Sequence, residues 1–305
     1  MPDNPLGCEE ADVRSAYARN VSFVGAGART ARLAGLTGGG DTIAITGANG
    51  QVGTLLQEQL AGRVRILPLT RADDWEAAIA EADAVAHLAG TLQPKGANSY
   101  RAANVETTER VAAAAGASPV RRIVFLSYVG ADPSSDNEYL AAKGAAERIL
   151  GGTAATTILR CVHIFGPPQR PGPFARAFIE PGRGPVRVPG SGKQRIAPLY
   201  VGDVVEAVAT ALLDPEAPAG VLELAGPRDM TMDELVVALN GPQMRINHLP
   251  VPFARLTARL MPSLTPALMD LLVSNNLIGA GRPAARALGL SLHGVEEVWP
   301  PGGAR

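Results

Sequence analysis

The 305-residue chain has few of the residues that mark several common classes of protein. Its two cysteines, Cys8 and Cys161, lie far apart and form neither a disulfide pattern nor a metal-ligand pattern, which is typical of a reducing compartment. The four histidines share no common spacing, so no metal site is expected. No apolar run reaches the ~18 residues of a transmembrane helix, and the N-terminus lacks a secretory pattern. The sequence therefore predicts a cytoplasmic protein without a membrane partner.

An excess of charge of either sign is missing as well. The 28 basic and 29 acidic residues give a net charge of −1, so no nucleic-acid partner is expected. In contrast, 46% of the residues are hydrophobic, which is enough for a substantial core. The composition predicts a globular protein and leaves its oligomeric state open.

Residues 42 to 53 (TIAITGANGQVG) carry the strongest signal in the chain. An apolar run typical of a buried strand leads through glycines into a segment with helical spacing. In such a turn Gly47 permits the tight bend, Gly50 lets the backbone approach a pyrophosphate, and Gly53 lets the helix pack closely on the strand. The helix N-terminus then favours phosphate. The candidate cofactor-binding residues of this stretch are Gly47, Asn49, Gly50, Gln51, Val52 and Gly53.

The preceding segment, 1 to 40, contains a weaker imitation of this motif. Gly25 and Gly27 follow a run of only four residues that could form a strand, and no third glycine follows at the right spacing. We therefore interpret 1 to 40 as an N-terminal leader of uncertain structure, dispensable for dinucleotide binding.

After the glycine motif, strand-like and helix-like segments alternate. Residues 63 to 70 predict a second strand, 75 to 82 a short helix, and 83 to 90 a third strand that ends in HLAG. Such alternation indicates a doubly wound parallel sheet, the Rossmann type of α/β fold. There is room for only one strand where a usual Rossmann half has two, so we expect the sheet to lack an outer strand. Three residues of HLAG are further cofactor-binding candidates: Leu88, Ala89 and Gly90.

The end of the second strand bears on the choice of cofactor. An acidic residue at this position selects NAD by bonding the ribose 2′-hydroxyl, whereas this chain has Thr70 and Arg71. Because a guanidinium suits a 2′-phosphate, NADP(H) is favoured, with NAD(H) as the other possibility. Asp73 or Asp74 is expected to bond the adenine amine, or Asp73 to cap the short helix.

Candidate catalytic residues follow on a strand and a helix. Ser127 ends the strand at 121 to 127, at the sheet edge where open α/β sheets bind ligands. In the helix at 138 to 150, Tyr139 and Lys143 are four residues apart and therefore share one face.

These residue types suit proton transfer. An isolated tyrosine has a pKa of about 10, and a neighbouring ammonium group lowers it. Lys143 is placed to lower the pKa of Tyr139, which would exchange a proton with a substrate oxygen. Ser127 would orient that oxygen, with Tyr128 as the alternative.

Several motifs together resemble the short-chain dehydrogenase/reductase superfamily: TGANGQVG, HLAG, NVETT, RIVFLS and YLAAK. RCVHIFGPP and PLYVGDVVEAV resemble its extended or atypical NAD(P)-dependent epimerase and reductase branch, over roughly residues 41 to 300. The resemblance implies that Lys143 also holds the nicotinamide ribose. It further implies that Asn104, in a predicted helix at 99 to 117, supports a kink or a water link behind Lys143.

The domain organisation follows from these segments. A dinucleotide-binding core at 41–165 is followed by a Gly-, Pro- and Arg-rich excursion at 166–197, which predicts loops and a helix rather than sheet. The chain returns to the core at 198–226 and ends in a small substrate lobe at 227–305. Four cations of the excursion could meet an anionic substrate, although solvated loop charges are the favoured interpretation of each: Arg176, Arg187, Lys193 and Arg195.

The sequence thus predicts an NAD(P)-dependent oxidoreductase that acts on a small-molecule carbonyl or alcohol. An epimerase or dehydratase is an alternative, because the Tyr139 and Lys143 pair with tightly held NAD would serve it. A non-catalytic dinucleotide sensor or assembly factor, like the accessory subunit of respiratory complex I, is a third. The presence of the pair counts against this third class.

Overall fold

The protein is described by a computed structural model that covers residues 40–94, 98–180, 182, 184–260, 265–279 and 283–300. The predictions for the leader, including the imitation motif at Gly25 and Gly27, fall outside the described residues. They stay predictions.

Six parallel strands form the central sheet, in the order β10-β5-β4-β3-β1-β2. The described strands are β1 (Thr42–Thr46), β2 (Arg65–Leu69), β3 (Ala84–His87), β4 (Arg122–Tyr128), β5 (Ala155–Cys161), β6 (Ile164–Phe165), β7 (Val186–Pro189), β8 (Arg195–Ile196), β9 (Leu199–Tyr200), β10 (Gly220–Leu224), β11 (Met230–Thr231) and β12 (Ile246–Leu249). Only β2 lies beyond β1 in this sheet. The predicted Rossmann fold with one outer strand fewer is confirmed for the described part of the chain.

The described α-helices are α1 (Gln51–Leu60), α2 (Trp75–Ala80), α3 (Thr107–Gly116), α4 (Glu138–Leu150), α5 (Gly172–Arg176), α6 (Val201–Leu213), α7 (Met232–Asn240), α8 (Val251–Leu260), α9 (Pro266–Val273), α10 (Pro283–Ala287) and α11 (Val295–Val298). The helix predicted at 138 to 150 has the bounds of α4. The helix predicted at 99 to 117 is not uniform, because Arg101–Glu106 is a π-helix that leads into α3. A π-helical turn widens the backbone spiral, which residue periodicity alone does not reveal.

The central strand β1 explains why helices cover both faces of the sheet. All five of its residues are buried, and its side chains alternate between the two faces. Ile43 and Ile45 pack in one core cluster with residues of α1 and α6, whereas Ala44 packs in a second cluster with residues of α2, α3 and α4. A strand that is apolar on both faces is stable only between two helical layers.

The excursion at 166–197 contains more sheet than predicted. Besides α5 it holds β7, which pairs in parallel with β12, and β8, which pairs with β11 in the antiparallel sense. The partner strands β11 and β12 belong to the C-terminal lobe. The prediction of loops and a helix was therefore incomplete. Short segments of this region, although rich in glycine and proline, become strands because they pair with partners that are distant in the sequence.

Side-chain hydrogen bonds fix two points in the return segment and the lobe. Thr231 and Glu234 form a capping box at the start of α7, each side chain bonding the other's backbone N–H. Asp203 is fully buried and accepts bonds from the backbone N–H and the Nδ1 atom of His293, so it links α6 to the segment before α11.

We predict that Gly144→Ala destabilises the protein by about 1 to 3 kcal/mol, the usual cost of overpacking. A Cβ atom at Gly144 would lie 2.3 Å from the backbone nitrogen of Pro133 and 2.4 Å from the carbonyl carbon of Asp132. Gly116→Ala is the matched control, because no atom lies within 4 Å of a Cβ atom there. Urea unfolding of both variants measures the difference, and equal stability would contradict this account of how α4 packs.

Candidate functional site

The glycine turn between β1 and α1 is shaped by close backbone contacts. Gly47 has φ 68°, and a Cβ atom there would lie 2.7 Å from the backbone nitrogen of Ala89. A Cβ atom on Gly53 would lie 2.4 Å from the carbonyl oxygen of Gly47. The two glycines are therefore required by the turn itself. For Gly53 the close neighbour is the turn backbone, a more specific contact than the helix-to-strand packing expected from the motif.

The remaining fingerprint residues differ in exposure. Asn49 and Gly50 are exposed beside the start of α1, whereas the Val52 side chain is buried in the core. Gln51 is half-buried, and its Nε2 atom has no hydrogen-bond partner within the described residues. Its side chain lies against Gly172, where a Cβ atom would be 2.5 Å from Nε2.

A cavity of about 280 Å³ opens beside this turn, at the carboxyl ends of β3, β4 and β5. It lies where open α/β sheets bind ligands. Its lining residues are Gln51, Leu88, Gly90, Thr91, Leu92, Gln93, Leu126, Ser127, Tyr128, Tyr139, Lys143, Cys161, Val162, His163, Ile164, Pro173, Phe174, Ala177, Leu268 and Leu272. The structure thus brings Gln51, Leu88, Gly90 and three of the four predicted catalytic residues to one cavity.

Helix α4 directs Tyr139 and Lys143 into the cavity. The side chain of Asn137 caps the helix by accepting bonds from the backbone N–H groups of Tyr139 and Leu140. Lys143 Nζ donates to the carbonyl oxygen of Leu126 at 2.8 Å and lies 4.6 Å from the centre of the Phe125 ring. Both contacts suit an ammonium group.

Burial shifts the pKa values of both Lys143 and Tyr139. It lowers the pKa of Lys143 from 10.5 to about 8, against the opposing effect of the Glu147 carboxylate. Burial also raises the pKa of Tyr139 above its usual range, with further contributions from Cys161 and Tyr100. The prediction that the pKa of Tyr139 is lowered was therefore wrong for this structure. The spacing of residues indicates that a cation is near, but it does not show how deeply the tyrosine is buried.

The Ser127 hydroxyl has a partner within the protein, and its predicted role at a substrate oxygen stays a prediction. Its hydroxyl donates to Glu147 Oε1 at 2.5 Å, and the same carboxylate accepts bonds from Arg160 Nε at 3.0 Å and Nη2 at 2.6 Å. Ser127 borders the cavity, but its hydroxyl bonds this buried ion pair. Glu147 follows Lys143 by four residues on α4, a helical spacing that could have indicated its place beside the lysine.

Tyr128, the alternative to Ser127, also borders the cavity. Its hydroxyl lies 3.0 Å from Nδ1 of His163, and its ring meets the edge of the Tyr139 ring at 5.5 Å between centroids. Burial lowers the pKa of His163 to about 4, so this imidazole is neutral at pH 7. Residue spacing does not indicate the contact with His163, which lies 35 residues further along the chain.

Asn104 occupies the π-helical turn and is fully buried. Its Nδ2 atom donates to the carbonyl oxygen of Tyr100 at 3.0 Å, and its Oδ1 atom has no partner within the described residues. A Cβ atom on Gly90 would lie 2.7 Å from Oδ1 of Asn104 and 3.1 Å from Nζ of Lys143. The local departure from α-helical geometry fits the expected kink, and the role of Asn104 stays a prediction.

The side chains of the residues that follow β2 form hydrogen bonds with nearby residues of the protein. Asp73 Oδ2 accepts bonds from the backbone N–H of Thr70 at 2.5 Å and from its hydroxyl at 2.7 Å. The cap of α2 is Asp74, which accepts from the backbone N–H of Ala77, so the expectation that Asp73 caps this helix was wrong. Arg71 is exposed and donates to Oδ1 of Asn98.

The four cations of the excursion are all exposed and do not border the cavity, which agrees with the favoured interpretation as solvated loop charges. Of these, Arg176 borders a neighbouring open groove together with Gln51 and Pro173. Where the chain is described, three or more potential metal ligands do not gather at any one place. Across the same residues, every helix is too short or too polar for a membrane crossing.

The parallel sheet, the glycine turn and the adjacent cavity define a Rossmann-type protein. A sequence model of the NAD dependent epimerase/dehydratase family matches residues 43–224. The chain belongs to this family, as the predicted resemblance to the extended branch of the short-chain dehydrogenases/reductases implied.

Curated relatives include two subunits of mitochondrial NADH dehydrogenases. The 40 kDa subunit of NADH-ubiquinone oxidoreductase from Neurospora crassa is 25% identical over 227 residues, which cover 65% of this chain and 59% of the relative. The NADH dehydrogenase (ubiquinone) 1 alpha subcomplex subunit 9 of Arabidopsis thaliana is 32% identical over 167 residues, 53% of this chain and 41% of the relative. The chain spans about half the length of these relatives.

Solved structures share the fold. MoeE5 in complex with UDP-glucuronic acid and NAD has a TM-score of 0.64 at 21% identity, covering 85% of this chain and 96% of that one. At this identity the likeness concerns the fold.

The lowered pKa of Lys143 predicts a pH dependence of stability. Between pH 8 and about 10.4 the unfolded chain holds a proton on Lys143 that the folded protein has released, so stability rises with pH in that window. Relative to Lys143→Met, the natural protein should gain on the order of 1 to 3 kcal/mol across the window.

Urea unfolding at several pH values measures this gain. Lys193→Met removes an exposed lysine and is expected to leave the pH dependence unchanged. Parallel curves for the natural protein and Lys143→Met would contradict the buried environment of Lys143.

Proposed function

We propose that the protein is an NAD(P)-dependent oxidoreductase that transfers hydride between a nicotinamide cofactor and a small-molecule carbonyl or alcohol. The observation that carries this proposal is the convergence of Tyr139 and Lys143 on one cavity, directly beside the glycine turn. Membership of the NAD dependent epimerase/dehydratase family supports it.

The residues present fit a dinucleotide. Asn49 and Gly50 are exposed beside the start of α1, and the Nε2 atom of Gln51, in the first turn of that helix, has no hydrogen-bond partner within the described residues. The turn and the start of α1 would hold the pyrophosphate, and Lys143 the nicotinamide ribose. When bound, the cofactor supplies or accepts the hydride.

Tyr139 is the proposed acid and base at the substrate oxygen. Because burial raises its pKa, the phenol is protonated near neutral pH, which suits donation of its proton to a carbonyl oxygen. The ammonium group of Lys143 would favour the phenolate that remains after the proton has moved. The surrounding rings of Tyr100 and Tyr128 exclude water from this step.

We predict that Tyr139→Phe lowers turnover about 10²-fold or more and leaves dinucleotide affinity nearly unchanged, since it removes only the proton donor. Steady-state kinetics on an identified substrate and calorimetric titration with cofactor measure the two quantities. Tyr200→Phe is the matched control, because Tyr200 does not border the cavity and its ring contacts Phe165 and His293 instead. Natural turnover in Tyr139→Phe would refute the assignment.

NADP(H) is the proposed preferred cofactor, and Arg71 the residue that selects it. Arg71 follows directly after Thr70 at the end of β2, is exposed, and bonds the neutral side chain of Asn98. Its guanidinium can therefore exchange that partner for a 2′-phosphate.

Arg71→Ala should reduce NADP(H) affinity about ten- to a hundredfold and barely change NAD(H) affinity, since a hydrogen bond to a charged group contributes roughly 1.5 to 3 kcal/mol. Titration with both cofactors tests this selectivity. Arg101→Ala removes another exposed arginine, one that is paired with Glu106, and should change neither affinity. Equal losses for both cofactors, or a natural protein that prefers NAD(H), would refute the role of Arg71.

Epimerisation or dehydration is the second candidate, favoured by the family and by structural relatives such as MoeE5, solved with UDP-glucuronic acid and NAD. The same Tyr139 and Lys143 pair would serve it, with NAD reduced and reoxidised within one turnover. Retention of NAD through purification, with substrate conversion and no net oxidation of added cofactor, would favour this candidate.

An assembly or sensing role is the third candidate, favoured by the two relatives that are mitochondrial NADH dehydrogenase subunits. The buried Tyr139 ring packs with Tyr100 and Tyr128, so it also contributes to the core. Dinucleotide binding that stabilises the fold, with no turnover in a screen of carbonyls and alcohols, would favour this role.

A further inference from the structure

We propose that the cavity takes a small, uncharged carbonyl or alcohol that carries an apolar ring, and not a nucleotide-linked sugar. This inference rests on the proposed function and specifies its substrate class. It is drawn from the cavity's shape, its rings and the position of its charges.

Aromatic and aliphatic side chains form the wall around the tyrosine hydroxyls. Phe174 of α5 stacks on His163, with centroids 4.3 Å apart and ring planes 11° apart. On α9, Leu268 and Leu272 border the same cavity one helical turn apart. An apolar ligand gains roughly 25 cal/mol for each Å² that such a wall covers.

The polar groups of the cavity suit one neutral oxygen atom. The hydroxyl of Tyr139 is the proposed proton donor. Ser127 and Tyr128 also border the cavity, but their hydroxyls have partners within the protein, Oε1 of Glu147 and Nδ1 of His163. This leaves Tyr139 as the proposed hydrogen-bond partner of the ligand's oxygen atom.

Positive charge is scarce at this cavity. Among the described lining residues, Lys143 is the one cation. It bonds the carbonyl oxygen of Leu126 and, in the proposed function, holds the nicotinamide ribose. His163 is neutral at pH 7, since burial lowers its pKa to about 4. A pyrophosphate would lose its hydration here without a cationic partner among these residues, which is costly.

The volume of the cavity also favours a small ligand. A volume of about 280 Å³ lies at or below the low end of ligand sites, which span roughly 300 to 1,000 Å³. The nicotinamide ring must share this space, because Gly90 and Lys143 border it. The remaining volume within the cavity suits a single ring with a short side chain. A sugar, two phosphates and a nucleoside would have to extend out of it, into the neighbouring open groove that Arg176 borders.

The test is calorimetric titration of the full chain saturated with NADP⁺. Because an oxidised cofactor cannot reduce a ketone, 4-phenylbutan-2-one reports binding without turnover. We expect it to bind, and we expect no heat from UDP-glucuronic acid or UDP-glucose. Phe174→Ala should weaken binding of the ketone tenfold or more. Phe253→Ala, which removes an exposed ring on α8, should not change it.

Phe174→Leu keeps an apolar side chain and replaces Phe174→Ala if that variant does not fold; it should still weaken binding of the ketone. Binding of UDP-glucuronic acid in place of the phenyl ketone overturns the inference. So does a protein that binds NADP⁺ and no phenyl ketone, a result that leaves the proposed oxidoreductase intact. Failure to bind any dinucleotide, measured first, refutes the proposed function and this inference with it.

Discussion

The burial of Lys143 is the constraint on which the arrangement of the cavity depends. An ammonium group enters a protein interior only where hydrogen-bond acceptors and aromatic rings replace its lost water. Here the carbonyl oxygen of Leu126, the face of Phe125 and the nearby Glu147 carboxylate provide that compensation. These groups lie on β4 and α4, so the lysine can stay buried only if helix and strand keep their register. Tyr139, one turn earlier on α4, is thereby positioned at the ends of the strands.

Much of the fold and part of the cavity follow from the sequence. Apolar runs, glycines and helical spacing predicted a parallel core sheet that lacks one outer strand, the bounds of α4 and the shared face of Tyr139 and Lys143. These features depend on residues that are close in the chain. The small strands β7 and β8 escaped prediction because their partners lie in the C-terminal lobe. The π-helical turn at Asn104 depends on backbone geometry that residue types do not encode.

Within the site, the hydrogen-bond partners of the side chains were the hardest feature to predict from the sequence. Ser127 stands at the predicted strand end, but Glu147 lies 20 residues away and Arg160 on the neighbouring strand, and only the folded sheet brings them together. The pKa of Tyr139 was misjudged for a related reason. Charge proximity can be inferred from a spacing of four residues, whereas burial is a property of the complete fold.

The distribution of charge separates the two halves of the proposed ligand site. The glycine turn offers backbone N–H groups to phosphate, which requires no cationic side chain. The cavity beside it is lined by rings and leucines, and the four exposed cations of the excursion do not border it. Helix α4 therefore borders both parts of the site. Lys143 lies beside the backbone of Gly90, and the Tyr139 ring contacts the Tyr128 ring. Substrate chemistry in such a fold can change through α5 and α9 without disturbing the dinucleotide turn.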